Sequence, residues 1–519
     1  MNGASKERVS TSEKKFLPES TTLPSKVVVS GNYDPAKTSV LPNVIQRILN
    51  ADDAKERYGL GSELHRMFIN FDKTSKKEVE VYAFPLSPAA GGTAAVFSLT
   101  FVTDATVGGK NKFRIGSYFL DEVITMNVAV GDDVDSQASA LADAITAKGS
   151  LPFSASATLG VVTATAKTSS ESGSAYNLTL NQKKGESDLA PGGTTVVIAE
   201  DTPGVGQSDL TPLWTFLSSE TGKWYTHVIT PYADSDALDG AELVCGNPND
   251  KSGLYGEVVY KPFNSYTADT DGGAGALTTA IALGDARGET DACGCRFAAP
   301  SSPEIQFELS CYMVGGIAKQ AQENAALAYT NLKYPELYGP IDDADDWTNT
   351  SANRDSAVNS GITPIAFFGE ANDSPDAQLF DVSAFWHPTS SEANAPFKFI
   401  VNQRKVWNVA NWIKTYQESD EIQDRPTVED VSATDFDVNA IDTDVVKSDI
   451  QLGAEQWSTK AWIYTPDFTI INCKVTENSE NSDLFDIYVP LILSGNLRQK
   501  ISQVDVTRDL AAVSVVIGG

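Results

Sequence analysis

Trp224-Tyr225-Thr226-His227-Val228-Ile229-Thr230-Pro231-Tyr232 is the stretch on which the fold turns. Its apolar run, Trp224–Thr230, is rich in aromatic and β-branched residues and stops at a proline, which reads as a buried strand. Helices are predicted on either side, over Leu210–Ser218 and Asp236–Val244. Downstream the alternation continues with a strand over Glu257–Tyr260, a helix over Ala276–Leu283 and a strand over Arg296–Ala299. A long helix over Pro303–Leu327 then carries Ile305, Leu309, Met313, Ile317 and Ala321 on one side. Strands that alternate with helices predict a parallel or mixed sheet covered by helices.

Upstream, Leu64, Met67, Phe68 and Phe71 recur at i, i+3, i+4 and i+7, the spacing of an amphipathic helix, with Ser62 placed to cap it. A strand over Glu78–Phe84 follows. The pattern breaks at the Pro/Ala/Gly-rich Pro85–Thr93. Beyond it the texture is rich in Thr, Ser, Ala and Val. Strands are predicted over Val96–Val102, Lys112–Phe119, Val123–Val130, Val161–Ala166 and Asn177–Leu180. One helix has Val134, Ala138, Leu141, Ala142 and Ile145 on a face. Because α/β texture resumes afterwards, residues 94–199 are predicted to be a β-rich α+β domain inserted into an α/β core made of 31–93 and 200–370. Residues 1–30 are polar until Lys26-Val27-Val28-Val29-Ser30 and read as an arm ending in a short strand. Such an arm is tied down when it adds to a neighbour's sheet edge.

The last third reads as a small α+β domain over 371–500, with strands at Phe397–Val401, Phe468–Val475 and Asp486–Leu493 and a helix over Gln403–Tyr416. Between Glu418 and Asp449 there are eleven acidic and two basic residues, the composition of a solvated loop. Residues 501–519 form a C-terminal arm ending in Val513-Ser514-Val515-Val516-Ile517-Gly518-Gly519. An apolar terminal strand of this kind is an aggregation hazard without a designated partner.

With 69 acidic and 39 basic residues the formal net charge is −30. Direct nucleic-acid binding is therefore not expected, since phosphate contacts need clustered Lys and Arg. Copies of the chain also repel one another at long range, so self-assembly requires close contacts that overcome this. The N-terminus lacks an apolar signal-like run, and no stretch is long enough to span a bilayer. The five cysteines, Cys245, Cys293, Cys295, Cys311 and Cys473, show no disulfide or metal spacing. The three histidines, His65, His227 and His387, belong to no recognisable nucleophile–base–acid arrangement. The phosphate cradle and the zinc-hydrolase motif are missing too. The acidic run Asp342-Asp343-Ala344-Asp345-Asp346 does not match an EF-hand loop. No enzyme activity, cofactor or metal is expected.

Three stretches resemble the tail sheath proteins of contractile-tailed bacteriophages, most closely the Mu-like branch. Tyr58-Gly59-Leu60-Gly61-Ser62-Glu63-Leu64 is similar to the family's lead into its first core helix. Ile124–Val130, the helix to Leu151-Pro152-Phe153, Val161–Ala166 and Ser170–Leu178 fall in the order of the family's inserted domain. Tyr225–Tyr232 with Asp234 resembles its core strand and Pro-Tyr turn. The resemblance covers roughly residues 40–340. It implies a non-catalytic core of subtilisin-like topology. It also implies six-fold rings stacked helically around a tail tube, bounded by baseplate and tail terminator proteins. Neighbouring subunits would be joined by terminal arms, and contraction would drive the tube through a host envelope. Such a protein would be assembled in the host cytoplasm and reside in the virion tail. A phage-derived injection device is the alternative setting, and an α/β hydrolase the rival of a different class. Strand-exchange residues would be Val27, Val28 and Val29 at the front and Val513, Val515 and Ile517 at the back. Arg404, Lys405 and Lys414, basic residues on one helix of an acidic chain, would face the tube.

Overall fold

The structure, a computed structural model, describes residues 22–115, 123–176, 178–180, 194–220, 222–257, 259–334, 337, 346–367, 377–389, 396–419, 422, 425–428, 440–479 and 485–496. The chain begins with β1 (Lys26–Asn32), β2 (Gln46–Ile48), α1 (Ala51–Tyr58), α2 (Glu63–Ser75) and β3 (Glu80–Leu86). Next come β4 (Val96–Phe101), β5 (Gly109–Ile115), β6 (Val123–Val128), α3 (Val134–Ala147), β7 (Phe153–Thr158), β8 (Val161–Ala166), β9 (Leu178–Leu180) and β10 (Val196–Thr202). The α/β alternation resumes with α4 (Thr211–Ser219), β11 (His227–Ile229), α5 (Ser235–Cys245), β12 (Asn264–Asp269), α6 (Ala276–Arg287), β13 (Gly294–Ala298) and α7 (Gln306–Glu323). It ends with β14 (Lys333–Tyr334), α8 (Ser351–Asn359), β15 (Ile362–Phe367) and β16 (Ala377–Leu379). The C-terminal part holds α9 (Ile400–Gln417), α10 (Thr443–Thr459), α11 (Pro466–Asn472), β17 (Lys474–Glu477) and β18 (Phe485–Tyr488).

A nine-stranded sheet in the order β2-β3-β1-β11-β12-β13-β15-β16-β14 forms the centre. The six strands from β3 to β15 run parallel, and antiparallel strands close both edges. Burial on both faces explains why β1 and β11 read as continuous apolar runs. Helix α2 packs on α7 across a contact that is polar at its middle. The Arg66 and Glu308 side chains, both fully buried, pair at 2.6 Å. Asn70 donates to the same carboxylate at 2.8 Å. A glycine is needed at 315, where a Cβ would lie 2.3 Å from Thr74 Oγ1 and 2.7 Å from the Phe71 carbonyl oxygen.

The segment from β4 to β10 leaves and rejoins the core at one point, where Thr93 and Val205 exchange both backbone hydrogen bonds at 3.0 and 3.1 Å. It contains a four-stranded antiparallel sheet, β10-β4-β8-β7, and a three-stranded one, β6-β5-β9. α3 packs between them with Ala138, Leu141, Ala142 and Ile145 buried, the face anticipated from spacing. A second hydrophobic cluster, separate from the main core, gathers Trp412, Tyr416, Trp457, Trp462 and Ile450 in the C-terminal part.

Several elements differ from expectation. Glu257, Val259 and Tyr260 lie outside any strand, and the nearby strand is β12, whose sequence Asn-Ser-Tyr-Thr-Ala-Asp is buried although mostly polar. Phe397–Val401 is a short 3-10 turn running into α9. Phe468–Val475 is mostly the helix α11, and only Lys474–Glu477 is extended. The acidic stretch is not all loop, because α10 starts at Thr443 behind the Asp442 cap.

Candidate assembly surfaces

The residues expected to reach other molecules sort into three groups. The first is Val27, Val28 and Val29. They lie in β1 at the middle of the sheet, fully buried, paired with His227–Ile229 on one side and Val81–Ala83 on the other. A strand hydrogen-bonded on both sides has no edge left for a neighbouring copy. The expectation of strand exchange at these residues is therefore corrected: the β-branched run that looked like an arm's end is a core strand of its own chain. Val513, Val515 and Ile517 lie outside the described residues.

The second group is the basic trio of α9. This helix crosses the foot of the parallel sheet, and its polar side chains bind the groups at the strand starts. Gln403 accepts from Asn264 Nδ2 at 2.7 Å and donates to the Ala292 carbonyl oxygen at 2.8 Å. Asn408 Oδ1 accepts from the Leu23 amide at 2.6 Å. Arg404 is buried, donating to the Thr226 carbonyl oxygen at 2.9 Å and to His227 Nε2 at 2.6 Å. Arg404 Nη2 also lies 2.9 Å from His227 Nδ1, which is 3.1 Å from Tyr266 Oη. Burial and the adjacent guanidinium hold the His227 pKa well below its ordinary value, so the ring is neutral. Lys405, also buried, donates to the Ser494 carbonyl oxygen at 2.6 Å and to Asn496 Oδ1 at 3.0 Å. The tube-facing expectation is corrected for Arg404 and Lys405, which tie the sheet and the C-terminal part to α9. Lys414 does reach the surface, 3.9 Å from Glu418.

The third group lies where strands are expected at Phe468–Val475 and Asp486–Leu493. β17 and β18 form a two-stranded antiparallel ribbon in register Lys474↔Tyr488 through Glu477↔Phe485. Among the described residues these strands pair only with each other. Val475 and Ile487 face the Trp412–Trp457 cluster, while Lys474, Thr476, Asp486 and Tyr488 face out. Beside the ribbon, Ile471 is 76% exposed, Tyr464 74% and Tyr488 61%. Phe468 shares the Ile471 face of α11, and Ile492 accepts from the Tyr464 amide at 2.7 Å. An apolar patch flanked by unpaired strand edges is the sort of surface that takes a partner. Exposed aromatic and β-branched residues between Tyr464 and Ile492 were the available signal.

The inserted segment is fastened to the core by a buried network. Glu63 accepts from Ser172 Oγ at 2.5 Å and from the Asn32 amide at 2.9 Å. Burial pushes the Glu63 pKa up, against these donors, which favour its charged form. Lys167 Nζ bridges the Leu60 and Gly149 carbonyl oxygens at 3.0 and 2.6 Å.

Of the remaining histidines, His65 is buried and accepts from the Gly61 amide at 3.0 Å, and His387 Nε2 lies 3.3 Å from Asp285. The five cysteines are unpaired and buried. Of the acidic run 342–346 only Asp346 is described, and it caps a short 3-10 helix at Trp347–Asn349. Among the described residues no three His, Cys, Asp or Glu converge to hold a metal, and no helix is long and apolar enough to cross a membrane.

Fold and surfaces together define a mixed α/β protein with a β-rich insertion and an open C-terminal ribbon. Solved structures to which this chain is similar include the sheath tail protein of Desulfitobacterium hafniense, at a TM-score of 0.43 and 12% identity, over 90% of this chain and 93% of that one. The helical sheath of the anti-feeding prophage in its contracted state aligns over 98% and 100%, at a TM-score of 0.38 and 12% identity. A chain of the same prophage's contracted baseplate aligns over 98% and 99%, at 0.45 and 11%. No family model matches the sequence, and no curated protein matches it.

Proposed function

We propose that this chain is a non-enzymatic tail sheath subunit. In this reading it polymerises as stacked six-fold rings around a tail tube, and contraction of the polymer drives the tube through a host envelope during genome delivery. The setting is a virion tail of the Mu-like kind, assembled in the host cytoplasm, with baseplate and terminator proteins at its ends. The observation that carries the reading is the β17–β18 ribbon. It is backed by its own small core, offers two outer strand edges, and is bordered by exposed Tyr464, Ile471 and Tyr488. A chain segment added along such an edge gains main-chain hydrogen bonds, and alternate side chains fill the apolar border. Residues 497–519, with Val513, Val515 and Ile517, and residues 1–21 are the segments of the chain from which such a strand would come. Backbone pairing of this kind tolerates rigid-body rotation of the rest of each subunit.

Electron microscopy of the purified protein at raised salt tests the reading. The full chain is expected to form hollow tubes. Variants lacking residues 1–21 or 501–519, cut outside β1 and outside the Asn496 contacts, are expected to stay folded and fail to polymerise. A full chain that remains a monodisperse monomer, indifferent to both deletions, would overturn it.

A further inference from the structure

At the foot of the sheet, where β1, α9 and the segment before β12 meet, a recess of about 280 Å³ opens to the surface. Lys26, Lys261 and Lys414 line it, with Glu418 the one acidic lining residue among the described residues and Asn411 and Trp224 beside them. Three ammonium groups gather here against Glu418, 3.9 Å from Lys414, and the nearby Glu220, a local excess of positive charge in a chain whose net charge is −30. Lys261 is only 7% exposed. Burial lowers its pKa, Lys414 and Lys26 lower it further, and Glu220 and Glu418 act in the opposite sense. A carboxylate entering the recess would relieve that repulsion at a partly desolvated position, where charge pairing is stronger than at an open surface.

The sequence holds a segment of matching chemistry. Residues 429–439, Glu-Asp-Val-Ser-Ala-Thr-Asp-Phe-Asp-Val-Asn, carry four carboxylates and no basic residue. Their two flanks are tied together, because Thr427 and Ile441 form a parallel bridge and Val428 donates to the Ile441 carbonyl oxygen at 2.9 Å. The described flanks of this segment thus meet at one place in the C-terminal part. Copies that repel at long range need short-range contacts of opposite charge to set their register.

We propose that the Lys26–Lys261–Lys414 recess is a docking site for the acidic 429–439 segment of a second copy of this chain. The inference rests on the self-assembly reading, but its test is made on monomers, so the two fail separately. A fluorescent peptide of residues 428–440 is titrated into the full chain at concentrations below polymer formation and followed by anisotropy. Saturable binding is expected, weakened at least tenfold in Lys261→Glu/Lys414→Glu. Because Lys261 is buried, the surface variant Lys414→Glu is measured too, with an expected severalfold loss. A peptide with Gln and Asn in place of its four acidic residues is expected not to bind. Equal binding of the neutral peptide, or unchanged affinity in the lysine variants, would overturn the proposal. So would peptide binding confined to a chain whose own four carboxylates are neutralised, which would assign the recess to the segment of the same copy.

Discussion

Asp291 shows how a single buried residue sets a pH dependence. It sits between α6 and β13, fully buried, and its Oδ1 accepts from the Cys293 and Gly294 amides at 2.9 and 2.6 Å. Burial pushes its pKa up from 3.8 to about 6, with the nearby Glu242 adding to the rise. A carboxyl with a raised folded-state pKa binds its proton more tightly when folded. Its contribution is thus fully present below pH 4 and is lost as pH rises through about 6. Over two pKa units this is about 3 kcal/mol. Asp291→Asn is therefore expected to remove that decline, so that its stability relative to the parent chain improves by about this amount between pH 4 and pH 7. Urea midpoints at the two values check it, and parallel curves for both proteins would refute it. None of this was legible in the sequence, where Asp291 is one acidic residue among 69. Arg404 and Lys405 taught the same lesson. Charge and spacing gave their shared helix, but only the tertiary partners at Thr226, His227 and Ser494 show that neither is available to another molecule.

At the scale of elements, legibility followed burial pattern. β8 was read from its sequence alone because Val162, Ala164 and Ala166 alternate with half-exposed neighbours. α2 was equally clear, with four apolar residues at helical spacing and a Ser62 cap that accepts from the His65 amide at 3.2 Å. β12 was missed because Asn264, Ser265 and Thr267 are buried polar residues that carry no periodic signal. α11 occupies most of Phe468–Val475, where a strand is expected and where Thr469, Ile470 and Ile471 are β-branched. The overlooked sign was Thr465-Pro466-Asp467, a cap, a first-turn proline and an acidic first turn. The outward side chains of α11 and β18 touch little within the chain. Ile471→Ser with Tyr488→Ser is therefore expected to leave unfolding stability within about 0.5 kcal/mol while raising the concentration needed for polymer formation severalfold. Denaturation and sedimentation measure the two effects, and loss of stability without loss of assembly would refute the role given to this face.

Across the whole molecule, charge decides how copies meet. Two chains of −30 approach against a field that reaches about 10 Å at 0.1 M salt and about 3 Å at 1 M. Raising sodium chloride from about 0.05 to about 1 M is expected to lower the critical concentration for assembly, since the backbone and apolar contacts proposed here survive screening. Light scattering follows this, and a rise in critical concentration with salt would mean that opposite-charge contacts dominate the polymer. The changes of texture along the chain fall near Thr93 and Val205, where the β4–β10 segment leaves and rejoins the sheet. The place of residues 22–30 was not legible in the sequence. Three consecutive valines suit an exchanged strand and a central one alike, and only pairing on both sides decides between them.

α9 belongs to both hydrophobic clusters, with Trp407 in the main one and Trp412 in the C-terminal one. Its 18 residues make a rod of about 27 Å. In mechanical terms the rod is a load path. Tension applied at the ribbon enters α9 through Trp412, Trp457 and the Lys405–Ser494 contact, then passes into the strand starts through Gln403, Arg404 and Asn408. Those attachments act in parallel across several strands, so a pull is shared at the sheet and concentrated at the C-terminal end. A pull on the ribbon would therefore undo the small outer core first, with the nine-stranded sheet still intact.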